Sequence, residues 1–345
     1  MARGKARASS TAKPMTSFNA FVVHKQEDKT FRHAVDERHT ADLPAGELLI
    51  RVHYSSVNYK DCLSATGNPG VTRHFPHTPG VDAAGVVEQS ASPLFRPGDA
   101  VVVACSKGLG VNMPGGFGQY VRCPAAWAMP LPDGLSLHES MIYGTAGYTA
   151  ALALEALQHD GLMPGCGPII ISGATGGVGS VAIAMLAHLG YEAVAATGKA
   201  QSHAFLEAIG AARIVGREVV DDNSGRNMLA QDWAGAIDAV GGNTLATLIR
   251  QCKERGTVVA TGNAGSQQLS MTVLPFILRG VRLTGIFSEA TDMAHRQRIW
   301  ARMAGDWKPA VLSGLATTIG LDELSDGIGR MLAGTQTGRL VVSLI

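Results

Sequence analysis

The run Ser172-Gly173-Ala174-Thr175-Gly176-Gly177-Val178-Gly179-Ser180 stands between two patterned stretches. Before it lies the apolar triplet Ile169-Ile170-Ile171; after it, apolar residues at 178, 181, 182, 185, 186 and 189 share one helical face. Glycine at a strand-to-helix turn lets the backbone bend sharply and approach a pyrophosphate, whose charge then meets the helix N-terminal N–H groups. Two frames fit the dinucleotide fingerprint, Ala174-x-Gly176-x-x-Gly179 and Gly177-x-Gly179-x-x-Ala182. Thr175, Gly176, Gly177 and Val178 are the candidate pyrophosphate-binding residues, against a purely structural glycine turn. Cofactor choice is read about 20 residues on, where an acid would bind the ribose 2′-hydroxyl. Here stands Thr197-Gly198-Lys199, with no acid between Glu192 and Glu207. A lysine and a hydroxyl attract a 2′-phosphate that a carboxylate would repel, so the cofactor expected is NADPH. The plain alternative is a solvated surface lysine. Arg339, in the turn Thr337-Gly338-Arg339, is expected to bring a second cation to that phosphate.

A second cluster, Ser55-Ser56-Val57-Asn58-Tyr59-Lys60-Asp61, follows the strand-like run Leu48–Tyr54, and Pro79-Gly80-Val81-Asp82 lies downstream. Asn and Asp at such a point either take part in chemistry or cap their own turn.

The elements that must position these residues fall into two patterns. From Phe18 to about Ala128, short β-like runs alternate with turns such as Arg96-Pro97-Gly98-Asp99. Ser136–Leu157 reads as a helix broken near Gly144 and Gly147. Strand and helix signals then alternate, which implies a parallel, doubly wound sheet. The expected organisation is a β-barrel catalytic domain from 18–141 plus 312–345, enclosing a dinucleotide domain at 142–311. Residues 1–17, with four cations and no acid, read as a disordered extension; an organellar address or a start at Met15 are the alternatives. Net charge is +1 from 29 basic and 28 acidic residues, which gives no nucleic-acid footprint. No apolar run approaches the ~20 residues of a membrane span. The five cysteines are scattered without a CxxC pair, so they read as buried, reduced thiols in a cytoplasmic protein.

Asn58-Tyr59-Lys60-Asp61, Pro79-Gly80-Val81-Asp82-x-x-Gly85, Arg96-Pro97-Gly98-Asp99, Gly144-Thr145-Ala146-Gly147-Tyr148-Thr149-Ala150 and the glycine-rich loop occur in the order seen in medium-chain dehydrogenases/reductases. With Trp233-Ala234-Gly235-Ala236-Ile237-Asp238 and Pro275-Phe276-Ile277-Leu278-Arg279, the chain resembles the acrylyl-coenzyme A reductase group of the quinone oxidoreductase branch. The resemblance implies an α/β fold, a GroES-like β-barrel joined to a Rossmann domain, and it places Tyr59 beside the cofactor. Zinc members of the superfamily carry Cys near the Asn58 position and Gly-His-Glu near Gly80-Val81-Asp82, together with four closely spaced cysteines. This chain has none of these, so no metal site is expected.

Without a metal, hydride transfer to the β-carbon of a conjugated thioester needs hydrogen-bond donors at the carbonyl oxygen and a proton for the α-carbon. Asn58 and Tyr59 are the candidate polar groups, and Asp61 orients them or relays a proton. The function expected is NADPH-dependent reduction of acrylyl-coenzyme A to propionyl-coenzyme A. A quinone or enone reductase and a non-catalytic NADPH-binding protein are the alternatives. The expected partners are a small acyl-coenzyme A or enone substrate and a second copy of the chain as a homodimer, with no nucleic acid and no membrane.

Overall fold

The computed structural model describes residues 16–345. Most of the expected extension, residues 1–15, lies outside the described residues. Its last two positions do not extend away from the fold. Ser17 begins the first strand, and Thr16 exchanges hydrogen bonds with Thr40 through the Thr40 hydroxyl and N–H.

The first lobe is antiparallel, as its alternating runs imply. A hairpin of β1 (Ser17–Lys25) and β2 (Phe31–His39) lies beside the main sheet. That sheet contains β3 (Leu48–Ser56), β4 (Ala83–Ser90), β5 (Ala100–Val103), β6 (Tyr120–Cys123) and β7 (Ala128–Pro130). Helix α1 (Tyr59–Ala65) follows β3 directly. Helix α2 (Leu137–His159) then runs across the expected join at 141/142. Its start is set by Ser136, whose hydroxyl accepts the Glu139 N–H at 3.1 Å while the Glu139 carboxylate accepts the Ser136 N–H at 2.9 Å. Gly144 interrupts it at φ 50°, ψ −154°, close to the break expected from sequence.

The second lobe is parallel and doubly wound. Its elements are β8 (Ile169–Ile171), α3 (Gly177–His188), β9 (Ala193–Ala196), α4 (His203–Ala208), β10 (Arg213–Val215), β11 (Trp233–Asp238), α5 (Gly242–Gln251), β12 (Cys252–Ala260), α6 (Leu274–Arg279), β13 (Arg282–Gly285) and α7 (Met293–Ala304). The strand order is 10-9-8-11-12-13, so the order reverses between β8 and β11, where α/β sheets open a ligand crevice. Ile169, Ile170 and Ile171 are fully enclosed between helices on both faces.

The chain then returns through β14 (Ala316–Ile319), α8 (Leu324–Leu332) and β15 (Arg339–Ser343). Strand β15 pairs antiparallel with the Tyr54–Ser56 end of β3 and parallel with β14. The last segment thus completes the first sheet, and it delivers Arg339 to the join between the lobes. Cys62, Cys105, Cys123 and Cys252 are buried thiols, as expected; Cys166 is exposed, in a turn.

Candidate active site

The end of β3 and the start of α1 form a buried polar turn. Asp61 has no exposed surface, and its carboxylate accepts the backbone N–H of Asn58 (2.8 Å), Val81 (2.9 Å) and Gly80 (3.1 Å). These bonds tie α1 to the Pro79–Val81 loop. Burial, and then the adjacent Asp82 charge, push Asp61 up to about 7. A carboxylate sealed in this way holds the turn.

Asp82 is the hub. It accepts hydrogen bonds from Ser56 Oγ (2.6 Å), Asn58 Nδ2 (2.7 Å), Thr145 N–H (2.9 Å) and Thr145 Oγ1 (2.6 Å). The Asn58 amide therefore faces inward, with its second short contact at the Ser56 carbonyl (3.3 Å). This corrects the expectation of Asn58 as a donor to a thioester oxygen: its N–H groups are spent on Asp82 and the backbone, and the side chain is 8% exposed. Tyr59 differs from both neighbours, being 48% exposed on the first turn of α1. Of the three expected catalytic residues, it is the one open to a ligand.

Arg339 departs furthest from expectation. It is 1% exposed, with Nε donating to Ile142 O (2.9 Å) and Nη1 to Val57 O (3.2 Å) and Asn58 Oδ1 (3.4 Å). Burial lowers its pKa from the usual arginine value, while Asp82 and Asp61 counter that. Its Nη2 has no protein partner. The guanidinium lies against the glycine-rich loop, where a Cβ on Gly177 would stand 2.7 Å from Nη1. Arg339 thus sits beneath the loop, under Asn58, and the 2′-phosphate position falls to other residues.

The loop itself follows the expected strand–turn–helix form. Gly173 turns at φ 60° after β8, and α3 starts at Gly177 with no side chain capping its N-terminus. Gly179 packs against Gly173 and Ala174, where a Cβ would lie 2.8 Å from the Ala174 Cα. Close helix–strand packing is the duty of the third glycine of the fingerprint, which favours the frame Ala174-x-Gly176-x-x-Gly179. The buried Thr175 accepts the Gly338 N–H on its carbonyl at 2.9 Å, tying the loop to the returning turn. An uncapped helix N-terminus, with Gly176, Gly177 and Val178 around it and the Arg339 guanidinium beside it, fits a dinucleotide pyrophosphate.

At the end of β9, Thr197 Oγ1 accepts the Lys199 N–H (3.1 Å), and Lys199 Nζ donates to Gln336 O (2.9 Å). Burial, and then the neighbouring Arg217, lower the Lys199 pKa. Arg217 lies against Gly198, where a Cβ would meet its Nε at 3.2 Å. Arg217, beyond β10, is therefore the second cation beside Lys199. Sequence spacing did not mark it, because it reaches this corner from the next strand of the sheet. Asp82 was visible in the sequence only within Pro79-Gly80-Val81-Asp82, where zinc relatives carry Gly-His-Glu, and nothing there marked it as the hub.

The loop after β5 reaches the same hub. Cys105, at φ 54°, donates its N–H to Thr145 Oγ1 (3.1 Å), and its carbonyl and that of Ala104 accept from the Arg296 guanidinium at 3.0 and 2.8 Å.

Two family models match the chain: the alcohol dehydrogenase GroES-like domain at residues 44–133 and the zinc-binding dehydrogenase at residues 177–303. The acrylyl-CoA reductase AcuI of Ruegeria pomeroyi is 44% identical over 330 residues, which cover 95% of this chain and 99% of that relative. Escherichia coli K-12 YhdH, solved with bound NADPH, has a TM-score of 0.90 at 38% identity, covering 94% of this chain and 100% of that one. Bacillus subtilis YhfP, solved with NAD bound, has a TM-score of 0.91 at 40% identity, covering 95% and 100%. Although one matching model is named for zinc, no group of three or more His, Cys, Asp or Glu side chains is close enough to hold an ion among the described residues.

Proposed function

The chain belongs to the medium-chain dehydrogenase/reductase superfamily, in its acrylyl-CoA reductase group, and from that premise we propose that it uses NADPH to reduce the C=C bond of acrylyl-CoA, giving propionyl-CoA. The observation that carries this reading is the full-length likeness to the Ruegeria reductase. The cofactor supplies a hydride for the β-carbon, and a proton completes the α-carbon. The chain's own residues bind and orient. Backbone N–H groups at Gly177 and Val178 meet the pyrophosphate, with Gly176, whose own N–H donates to the Gly173 carbonyl, and Thr175 fixing the loop. Arg339 Nη1 lies against that loop from below, while its unpartnered Nη2 lies beside Gly144. Thr197, Gly198, Lys199 and Arg217 form the 2′-phosphate corner. Tyr59 is the exposed side chain placed at the cofactor and substrate. Asn58 and Asp61 are positioning residues that fix it by holding the first turn of α1.

Among the described residues no helix is long and apolar enough to cross a membrane. A cytoplasmic homodimer is part of the same reading. The edge strand β13 leaves Leu283 exposed, with Ile277, Leu278 and Phe287 exposed on the segments beside it, which supports a second copy covering that side.

NADPH oxidation should be followed with acrylyl-CoA, with a simple quinone, and with neither, each with and without prior chelation. Turnover of acrylyl-CoA that exceeds the quinone rate and survives chelation is expected. Quinone turnover alone would move the function to the sister branch, and NADPH binding without turnover in any arm would leave a nucleotide-binding protein.

A further inference from the structure

Lys60 directly follows Tyr59 on α1, and its ammonium pairs with the carboxylate of Glu289, which belongs to the second lobe. Glu289 lies in the one-turn segment Ser288–Ala290, between β13 and α7. The neighbouring Ser288 side chain lies beside the Cys105 thiol, so this segment spans from α1 to the loop after β5. That loop ends the Cys105–Thr145–Asp82 chain of contacts and carries the exposed Lys107 two residues on. The pair therefore stands at the rim of the site, where the lobes meet.

The carboxylate that meets Lys60 comes from the other lobe, because the two acids nearest to it in the motif, Asp61 and Asp82, are fully buried in the hub. The Lys60 and Glu289 side chains are 44% and 25% exposed. A partly exposed pair contributes little to stability, so the fold does not require it.

We propose that Lys60 is a specificity residue whose ammonium receives a phosphate group of the coenzyme A thioester, and that Glu289 occupies that ammonium while no substrate is bound. The assignment rests on the acyl-CoA reading above. A phosphate offers more charge and more acceptor oxygens than one carboxylate, so it displaces Glu289. A neutral enone or quinone has nothing to exchange for that contact. The same pair would then favour a coenzyme A ester over an uncharged substrate of identical reactivity.

The test compares acrylyl-CoA with the acrylyl thioester of N-acetylcysteamine, which has the same acyl group and no phosphate. In Lys60→Gln, the ratio of kcat/KM for the two substrates should fall about ten-fold, the usual size of one lost charge-assisted contact. Lys60→Arg should restore most of the ratio. Glu289→Gln should raise kcat/KM for acrylyl-CoA by a factor of about two to five, because the competitor is gone. Titration of free coenzyme A by calorimetry reads the same contact without turnover, with weaker binding to Lys60→Gln and tighter binding to Glu289→Gln. If both variants lowered kcat/KM for both substrates in parallel and left coenzyme A binding unchanged, the pair would be a clasp between the lobes and the proposal would be overturned. A wild-type enzyme inactive on both thioesters would instead sink the acyl-CoA reading, while the calorimetry would still decide the role of Lys60.

Discussion

Lys199 and Arg217 come from consecutive turns of the second sheet and meet beside Gly198, so two cations share one corner with a buried threonine. Their mutual repulsion is relieved when a dianion sits between them, and that gives the corner its preference for a 2′-phosphate. Lys199→Ala should weaken NADPH binding about ten-fold and leave NADH nearly unchanged, since a charge-assisted contact is worth ~1.5–3 kcal/mol. Arg217→Ala should act in the same direction. Titration with both cofactors checks this, and equal losses for the two would show that the residues only support the loop. Asp61 gives a separate test through pH. An acid raised from 3.8 to about 7 binds its proton more tightly in the native state, so its ionisation costs stability as pH climbs from about 4, and the loss levels off above about 7. Asp61→Asn retains an acceptor oxygen and has no proton to lose. Its melting temperature should therefore gain on the wild type across that interval and run parallel to it at higher pH. A constant offset from pH 4 to 8 would show that Asp61 is ionised throughout. At this scale the sequence was readable where chemistry is local. The Asn58–Asp61 spacing made a turn that caps itself, and Thr197-Gly198-Lys199 lay at a strand end. It was unreadable where partners come from afar, since nothing near Arg339 says that its side chain ends under Asn58.

The elements explain why that hub is so tightly fixed. Helix α2 passes Asp82 at Gly144, whose φ of 50° and ψ of −154° suit glycine almost alone. A Cβ there would enter the space of Asp82 Oδ2 and Ser56 Oγ and stand 3.1 Å from Arg339 Nη2. Gly144→Ala should cost about 2–4 kcal/mol through backbone strain and displaced polar groups. It should also weaken NADPH binding, because Arg339 must shift under the loop. Thermal melts and cofactor titration together check this. A variant as stable as the parent with unchanged affinity would mean that the kink is incidental. Strand β8 was legible to the residue, because a short apolar run between turn signals has little else to become. Helices α1 and α7 were not. The first is seven residues long with polar positions turned inward, and the second, Met293–Ala304, is rich in charge and has a weak apolar stripe. The start of α7 did carry a signal: the Asp292 carboxylate accepts the His295 N–H at 2.7 Å.

Over the whole molecule, the two sheets are joined by an order of events that the finished fold conceals. Strand β15 lies between β14 and β3, yet the ribosome makes it after every strand of the parallel sheet. A nascent chain holding both the Asn58–Asp61 turn and the complete glycine-rich loop still lacks the guanidinium that lies beneath them, and the Tyr54–Ser56 edge of β3 is still unpaired. Open strand edges and half-covered apolar faces are where newly made chains stick to one another. The early lobe must therefore wait, unfinished, through the synthesis of its neighbour, with its open edge exposed to other nascent chains.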